Sequence, residues 1–288
     1  MLINMLASAL LITTLAQSND TTFAVDPNGR LELTNHEGSI VVRTWDRDEV
    51  EVRTNSRYRG SVDIQRNGGT VRIGPSRRWD DDDDIDYRLT VPASMALDLR
   101  GSDTEVRVEG TTGELNIDIR DGDVFVRGGS GRVSIRTDDG EIDAEDLSGR
   151  VRLSSMDGDV ILNGGYGDIE VDATDGAITL LEIEASTVVA NTVDGDIWFD
   201  GVLEPRGSYM LTTHDGDITL QIPEDTDAHV RLARHDGEIL TDFPMTVQSW
   251  PSGRRLEFNL GSGSAELQIE AFDGDIELRH RGGRRRRR

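Results

Sequence analysis

Acidic residues recur along this sequence in a pattern that could bring carboxylates together around a divalent cation. An Asp-Gly pair is followed by a further acid at the evenly spaced positions 121, 139 and 157, and again at 194, 215, 236 and 273. Calcium prefers carboxylate and turn-carbonyl oxygens, so the acids of the first four of these units are candidate ligands. They are Asp121, Asp123, Asp139, Glu141, Asp157, Asp159, Asp194 and Asp196. The alternative is a solvated acidic edge in which the first aspartate of each unit only builds a turn.

Two glycine-rich segments resemble the opening of calcium-binding nonapeptide repeats. They are Gly128-Gly129-Ser130-Gly131 and Gly164-Gly165-Tyr166-Gly167. In such repeats an aspartate stands two places beyond the third glycine. Here those places hold Val133 and Ile169, which are apolar. The sequence therefore predicts no true calcium roll, and calcium stays only a possible ligand of the acidic units.

Other residue types offer little chemistry. The chain has no cysteine, which excludes thiol catalysis and thiolate metal sites. His214 and His235 each precede an Asp-Gly pair and could lie one above the other, but two imidazoles make no selective metal site. No nucleophile motif of the Gly-x-Ser-x-Gly type occurs, so we expect no catalytic residue and no cofactor. Because Phe199 should face inward, Trp198 should face outward as a candidate surface contact.

Glycines set the spacing of the elements that position these residues. They stand nine residues apart without a slip at 113, 122, 131, 140, 149, 158, 167 and 176. Each is followed by two mostly aliphatic residues separated by one variable residue, the alternation of a strand with one buried face. Beyond Gly176 the Asp-Gly pairs recur at wider and less even spacings, at Asp194, Asp215, Asp236 and Asp273.

The fold class predicted by this repeat is all-β. A repeat unit this short cannot bury its apolar face alone, so units must stack. The sequence favours a parallel β-solenoid (β-helix) with two short strands per coil of about 18–21 residues. A β-sandwich or β-prism of antiparallel hairpins is the alternative, because Asp-Gly is also a hairpin turn.

Three segments divide the chain. Residues 1–16 are uncharged, mostly apolar and end Thr14-Leu15-Ala16, which predicts a secretory signal peptide. The solenoid domain is expected over 22–278, less regular over 22–110 and regular over 111–278. Residues 279–288 form an arginine-rich tail expected to be disordered. The tail residues expected to contact anionic membrane or envelope polymer are Arg284, Arg285, Arg286, Arg287 and Arg288.

The net charge of the chain limits which classes of molecule it can bind. The chain holds 31 basic residues, all arginine, against 55 acidic ones, for a net charge of −24. So acidic a body excludes nucleic acid as a partner, since phosphate binding needs clustered cations. No stretch after residue 16 is apolar enough to span a membrane.

The arrangement as a whole resembles a bacterial "putative adhesin" family, domain of unknown function 4097. The resemblance rests on the Asp-Gly-Asp-Ile/Val units, on the opening Gly29-Arg30-Leu31-Glu32-Leu33 and on Tyr87-Arg88-Leu89-Thr90-Val91-Pro92. It covers about residues 22–278. The family implies an exported or envelope-associated β-helical domain, with adhesion as its suggested role and no catalytic residues.

These observations predict an exported, non-catalytic surface or envelope protein that presents an acidic, repetitive surface to a cell-surface polymer or protein. It would lie in the periplasm, in the envelope or outside the cell. One alternative is a structural or regulatory envelope protein whose open coil ends bind a partner chain by strand addition. Another is a polysaccharide-active enzyme, although coils this short leave no room for the loops that wall a catalytic groove.

Overall fold

The computed structural model describes residues 20–55, 62–75, 84–244 and 255–281. Within these ranges all regular structure is β-strand, and no helix is present that could cross a bilayer. The strands are β1 (Asp20–Ala24), β2 (Arg30–Thr34), β3 (Glu37–Trp45), β4 (Glu49–Thr54), β5 (Val62–Asn67), β6 (Thr70–Pro75), β7 (Ile85–Pro92), β8 (Ala96–Glu109), β9 (Leu115–Asp121), β10 (Val124–Gly129), β11 (Arg132–Asp139), β12 (Ile142–Asp157), β13 (Val160–Asp175), β14 (Ile178–Asp194), β15 (Ile197–Asp215), β16 (Ile218–Ile222), β17 (Ala228–Asp236), β18 (Ile239–Thr241), β19 (Arg255–Leu260), β20 (Ala265–Asp273) and β21 (Ile276–His280).

The strands stack in two parallel rows that share one core, which confirms the predicted β-solenoid and excludes the hairpin alternatives. The first row, which precedes the Asp-Gly corner, runs in the order β6, β2, β8, β9, β11, β12, β13, β14, β15, β20, β17. The second row follows that corner in the order β7, β3, β8, β10, β12, β13, β14, β15, β16, β21, β18. At about 4.8 Å per coil the described parallel stack is about 48 Å long.

Aliphatic side chains from both rows fill the interior, as the alternation predicts. In one coil Val133 and Ile135 come from the first row and Ile142 and Ala144 from the second, and all are buried. Each stands opposite the equivalent residue of the next coil, so Ile135 pairs with Leu153. The result is one continuous core along the rod. β12, β13, β14 and β15 each run through a corner without a break, so the strands are longer than the short ones predicted.

Close stacking at the corners explains the glycine spacing. The nine-residue series splits into two columns, one at the Asp-Gly corner and one at the opposite corner. Gly140 has a φ of 143°, and a Cβ placed on it would lie 2.4 Å from the carbonyl oxygen of Gly122 in the neighbouring coil. No other residue fits both the backbone conformation and the contact.

Buried hydroxyls tie successive Asp-Gly corners together. Two residues before the aspartate, a Ser or Thr donates a hydrogen bond to a glycine carbonyl of the adjacent coil. The donors are Thr137 to Gly122, Ser155 to Gly140, Thr192 to Gly176 and Thr213 to Gly195. These bonds satisfy hydroxyls that would otherwise be buried without a partner.

The N-terminal end departs from sequence order. The coil made of β2 and β3 lies between the coil of β6 and β7 and the later β8. Beyond that first coil, β5 pairs antiparallel with β6, β4 pairs antiparallel with β7, and β1 pairs antiparallel with β4. Antiparallel strands therefore close both rows at this end, where the sequence suggested an open edge.

The C-terminal end has the same kind of exchange. The coil of β20 and β21 lies between β15–β16 and β17–β18, so residues 265–280 form the second-last coil. β19 pairs antiparallel with β17 and covers the first row. The Asp227 carboxylate accepts hydrogen bonds from the Ser262 hydroxyl and from the backbone N–H groups of Ser264 and Gly263, which lowers the pKa of Asp227. These bonds hold the turn between β19 and β20 in place.

Candidate functional site

Asp-Gly corners form a straight acidic edge along the rod. The first aspartates pair in register from coil to coil in the order Asp121, Asp139, Asp157, Asp175, Asp194, Asp215, Asp273, Asp236, and Asp103 of an Asp-Thr pair precedes them in the same column. We call this column, together with the acids two residues further on, the acidic edge. All the predicted cation-binding residues therefore stand on one side of the molecule.

In five of the units the second acid accepts a hydrogen bond from the backbone of the neighbouring coil. The Oδ1 atoms of Asp123, Asp159, Asp196, Asp217 and Asp275 accept the N–H groups of Glu141, Ala177, Asp217, Asp275 and Glu238, at 2.7–2.9 Å. One oxygen of each of these carboxylates is thus engaged in holding two coils together. The aspartate side chain is long enough to make this bond. The bond therefore explains why an acid stands at this position, and no ligand is needed to explain it.

Two positions interrupt this series of bonds. Glu141 has a longer side chain and Ala177 has no carboxylate, so within the described chain neither accepts the backbone N–H that aspartate accepts elsewhere. Burial, followed by the charges of Asp123, Asp143 and Asp159, raises the pKa of Glu141. The like charges of the acidic edge therefore act on one another at this point.

Cation binding by the acidic edge remains a prediction. Over the described ranges, no group of three or more His, Asp or Glu side chains is arranged to hold a metal ion. The engaged carboxylate oxygens leave fewer donor atoms than the sequence pattern suggested.

Exposed apolar side chains stand beside the acidic edge, one residue before three of its aspartates. Met156, Val193 and Phe272 are 51%, 53% and 47% exposed. Phe272 lies between His214 and His235, with ring centroids 4.6 and 4.5 Å away. The two histidines thus lie in one column, as the sequence allowed, but the exchanged coil inserts Phe272 between them.

The outer face of the second row differs from the acidic edge in the types of side chain that it carries. We call eight outward side chains of β13–β16 the outer strip: Ile161, Asn163, Thr179, Leu181, Trp198, Asp200, Thr219 and Gln221. Trp198 is partly exposed while Phe199 is buried in the core. Thr179 and Thr219 pair with Trp198 in the coils on either side. The indole is thus flanked by two hydroxyls along the rod axis.

Charge is balanced on the outer strip. Its one acid, Asp200, forms an ion pair with Arg281 at 2.6 Å. In the next coil Glu277 pairs with Arg279, so the acid and base there also cancel. The strip carries no net charge in a protein whose net charge is −24. The sequence did not show this, because the members are spread along the chain from Ile161 to Gln221 and only the coil register gathers them.

Small hollows mark the surface elsewhere. One of about 140 Å³ lies on the second row beside Arg107, Phe125 and Arg127, with the Arg107 guanidinium 4.6 Å from the Phe125 ring centre. Another of about 200 Å³ lies beside Arg234, His235 and Phe272. Both are below the roughly 300–1,000 Å³ typical of small-molecule sites.

Several predicted features lie outside the described residues. They are the signal peptide over 1–16 and the tail arginines Arg284, Arg285, Arg286, Arg287 and Arg288. The described chain ends at Arg281, beside Asp200 on the outer strip. Strand β21 continues to His280, so residues 279 and 280 pair with β16 and do not belong to the disordered tail that the sequence predicted. The other segment boundaries and the contact role of Trp198 stay predictions.

Comparison with known proteins identifies the family. The model of the Toastrack DUF4097 family matches residues 28–279. The chain belongs to this family. Among solved structures, the Toastrack chain is similar to a "putative adhesin" of Bacteroides fragilis, with 12% identity, a TM-score of 0.47 and coverage of 90% of this chain and 95% of that one. It is also similar to a "putative cell adhesion protein" of Clostridium sporogenes, with 10% identity, a TM-score of 0.21 and coverage of 91% and 98%. A search of curated proteins finds no match.

Proposed function

We propose that this Toastrack protein is exported and serves, without catalysis, as a surface or envelope protein that binds an extended partner by many weak contacts. The observation that carries the proposal is the in-register repetition of outward side chains along the rod, on the acidic edge and on the outer strip. A repeated surface offers a long partner several equivalent contacts, and linked weak contacts add up to firm binding.

Two further features support this proposal. The hollows of about 140 and 200 Å³ are small for a substrate pocket, which favours surface binding over catalysis in a groove. Five arginines stand at positions 284–288 of a chain that is otherwise strongly acidic. Arginines near an anionic surface contribute about 1 kcal/mol each, so the tail would add attachment to anionic lipid or envelope polymer.

Export can be tested on the full chain. The protein is expressed in a bacterial host, and the N-terminus of the product is sequenced. Export predicts cleavage close to Ala16 and recovery outside the cytoplasm. Recovery from the cytoplasm with the segment 1–16 retained would contradict export.

Attachment is measured by co-sedimentation with isolated envelope fragments at low and high salt. The full chain should sediment with the fragments, and a variant lacking residues 282–288 should sediment less at low salt. A chain that stays in the supernatant under both conditions would overturn the proposed binding role. If the full chain and the shortened variant sedimented equally, the tail would have no part in the binding.

A further inference from the structure

The outer strip differs from the rest of the surface in charge and in composition. Apolar groups on it are Ile161, Leu181 and Trp198, and the others are hydroxyls, amides and one acid paired with Arg281. The acids and bases on and beside the strip are paired with each other, so a partner lying on it meets no unpaired side-chain charge among the described residues. The strip therefore complements an uncharged partner that has both apolar and hydroxyl-rich surfaces.

We propose that the outer strip binds an uncharged polysaccharide lying along the axis of the rod, a proposal that rests on the surface-binding function above. A pyranose ring presents C–H groups on its faces and hydroxyls around its edge. Trp198 supplies an aromatic plane for such a face. Thr179 and Thr219 supply hydroxyls one coil to either side, and Asn163 and Gln221 supply amides that both donate and accept hydrogen bonds.

The geometry of the stack sets the direction of the chain. Ile161, Thr179, Trp198 and Thr219 form one line along the axis, since each is the register partner of the next. Successive side chains stand about 4.8 Å apart. That interval is close to the length that one sugar unit occupies in an extended polysaccharide. Apolar Ile161 and Trp198 are two coils apart, so an extended chain would meet an apolar contact at every second sugar.

An acidic polysaccharide suits the molecule poorly. It would bring further negative charge to a protein of net charge −24, and the described part of the strip has no unpaired cation to offset it. Among the described residues near the strip, Arg279 and Arg281 are both engaged by acids. The charge of the whole molecule and that of the strip thus favour the same class of ligand.

Affinity electrophoresis of the full chain tests the proposal. The protein migrates readily toward the anode because it is acidic, so retardation by a polymer in the gel is easy to read. Native gels are cast with hydroxyethyl cellulose, laminarin, dextran or mannan as uncharged probes, and with polygalacturonate as the acidic one. We expect at least one uncharged probe to retard the wild-type chain and polygalacturonate to leave it unaffected.

Variants locate the contact. Trp198→Ala should weaken binding about tenfold, the loss expected for a stacked aromatic contact. The double variant Thr179→Val/Thr219→Val keeps side-chain shape and removes only hydroxyls, so it tests the site even if Trp198→Ala is poorly folded. Phe272→Ala is the control, because Phe272 is an exposed aromatic at the acidic edge. It should bind as the wild type does.

Two outcomes would overturn the proposal: no uncharged probe retards the wild type, whether or not polygalacturonate does, or the Trp198 and threonine variants bind as well as the wild type. The broader function has a separate readout. If the Trp198 variant and the wild type sediment equally with envelope fragments while no polysaccharide binds, the surface-binding function stands and the polysaccharide site fails.

Discussion

Two glycines in neighbouring coils separate the effects of backbone conformation and of close stacking. Gly149 has a φ of 98°, and a Cβ on it would lie 2.4 Å from the carbonyl oxygen of Gly131. Gly131 has a φ of 85°, and a Cβ on it would meet no atom within 4 Å. Gly131→Ala should cost about 1–2 kcal/mol for the left-handed backbone alone. Gly149→Ala should cost about 1–3 kcal/mol more, because the added methyl forces two coils apart.

Urea unfolding of the two variants measures this difference in the free energy of unfolding. Equal losses would mean that the corner relaxes around the methyl group and that the coil spacing is set elsewhere. The matched positions make the comparison direct, since both glycines belong to the same corner column.

The acids of one Asp-Gly-Asp unit offer a second pair. The Asp159 carboxylate accepts the backbone N–H of Ala177 at 2.8 Å, whereas the exposed Asp157 carboxylate makes no hydrogen bond or ion pair within the described chain. Asp159→Ala should lower the free energy of unfolding by about 1 kcal/mol. Asp157→Ala should change it little, and Asp159→Asn should retain most of the stability because the amide oxygen still accepts. Thermal and urea melts measure these changes in the free energy of unfolding. An equal loss for Asp157→Ala and Asp159→Ala would show that the hydrogen bond contributes nothing.

At this scale the sequence predicted part of the chemistry. Positive φ and tight turns follow from glycine alone, so the corners could be predicted from spacing. The hydrogen bonds that Asp159 and Thr192 make with the neighbouring coil could not be predicted. Their partners lie 18 and 16 residues away in the sequence and become neighbours only when the coils stack.

At the scale of elements, the exchanged C-terminal coil should control the stability of that end. β20 lies between β15 and β17, so its removal would leave two parallel strand edges without a partner. Truncation after residue 264 should therefore lower the melting temperature and promote aggregation through the exposed edges. Circular dichroism melts and size-exclusion chromatography measure both effects.

Truncation after residue 281 is the matched control. It keeps every described strand, so its melting temperature should equal that of the full chain. If the chain truncated after residue 264 had the same melting temperature, β17 would have to pair directly with β15 in the absence of β20.

The regular spacing of nine residues predicted parallel stacking correctly, since stacked coils tolerate few changes of length. The exchange at both ends escaped prediction for a physical reason. The unit around Asp273 resembles the units around Asp215 and Asp236, so it fits between them as well as beyond them. In the sequence, only the wide spacing between Asp236 and Asp273 indicated that the regular order of coils is interrupted there.

At the scale of the whole molecule, a net charge of −24 makes stability depend on ionic strength. Sodium chloride should raise the melting temperature by screening repulsion along the acidic edge. Calcium at matched ionic strength should raise it no further, because one oxygen of each bonded carboxylate already accepts a backbone N–H. Calorimetric melts of the full chain compare the two salts; a clearly larger rise with calcium would establish a cation site on the acidic edge.

The exchanged ends also restrict how such a rod can change length during evolution. Because the first and last coils in space are made by internal segments of the chain, a repeat added at either terminus would meet an occupied position. A single duplicated unit inserted between Leu115 and Asp194 would only lengthen both rows by one coil, with every register preserved. Rods of this design should therefore gain and lose coils in their middle, while both ends keep the same architecture.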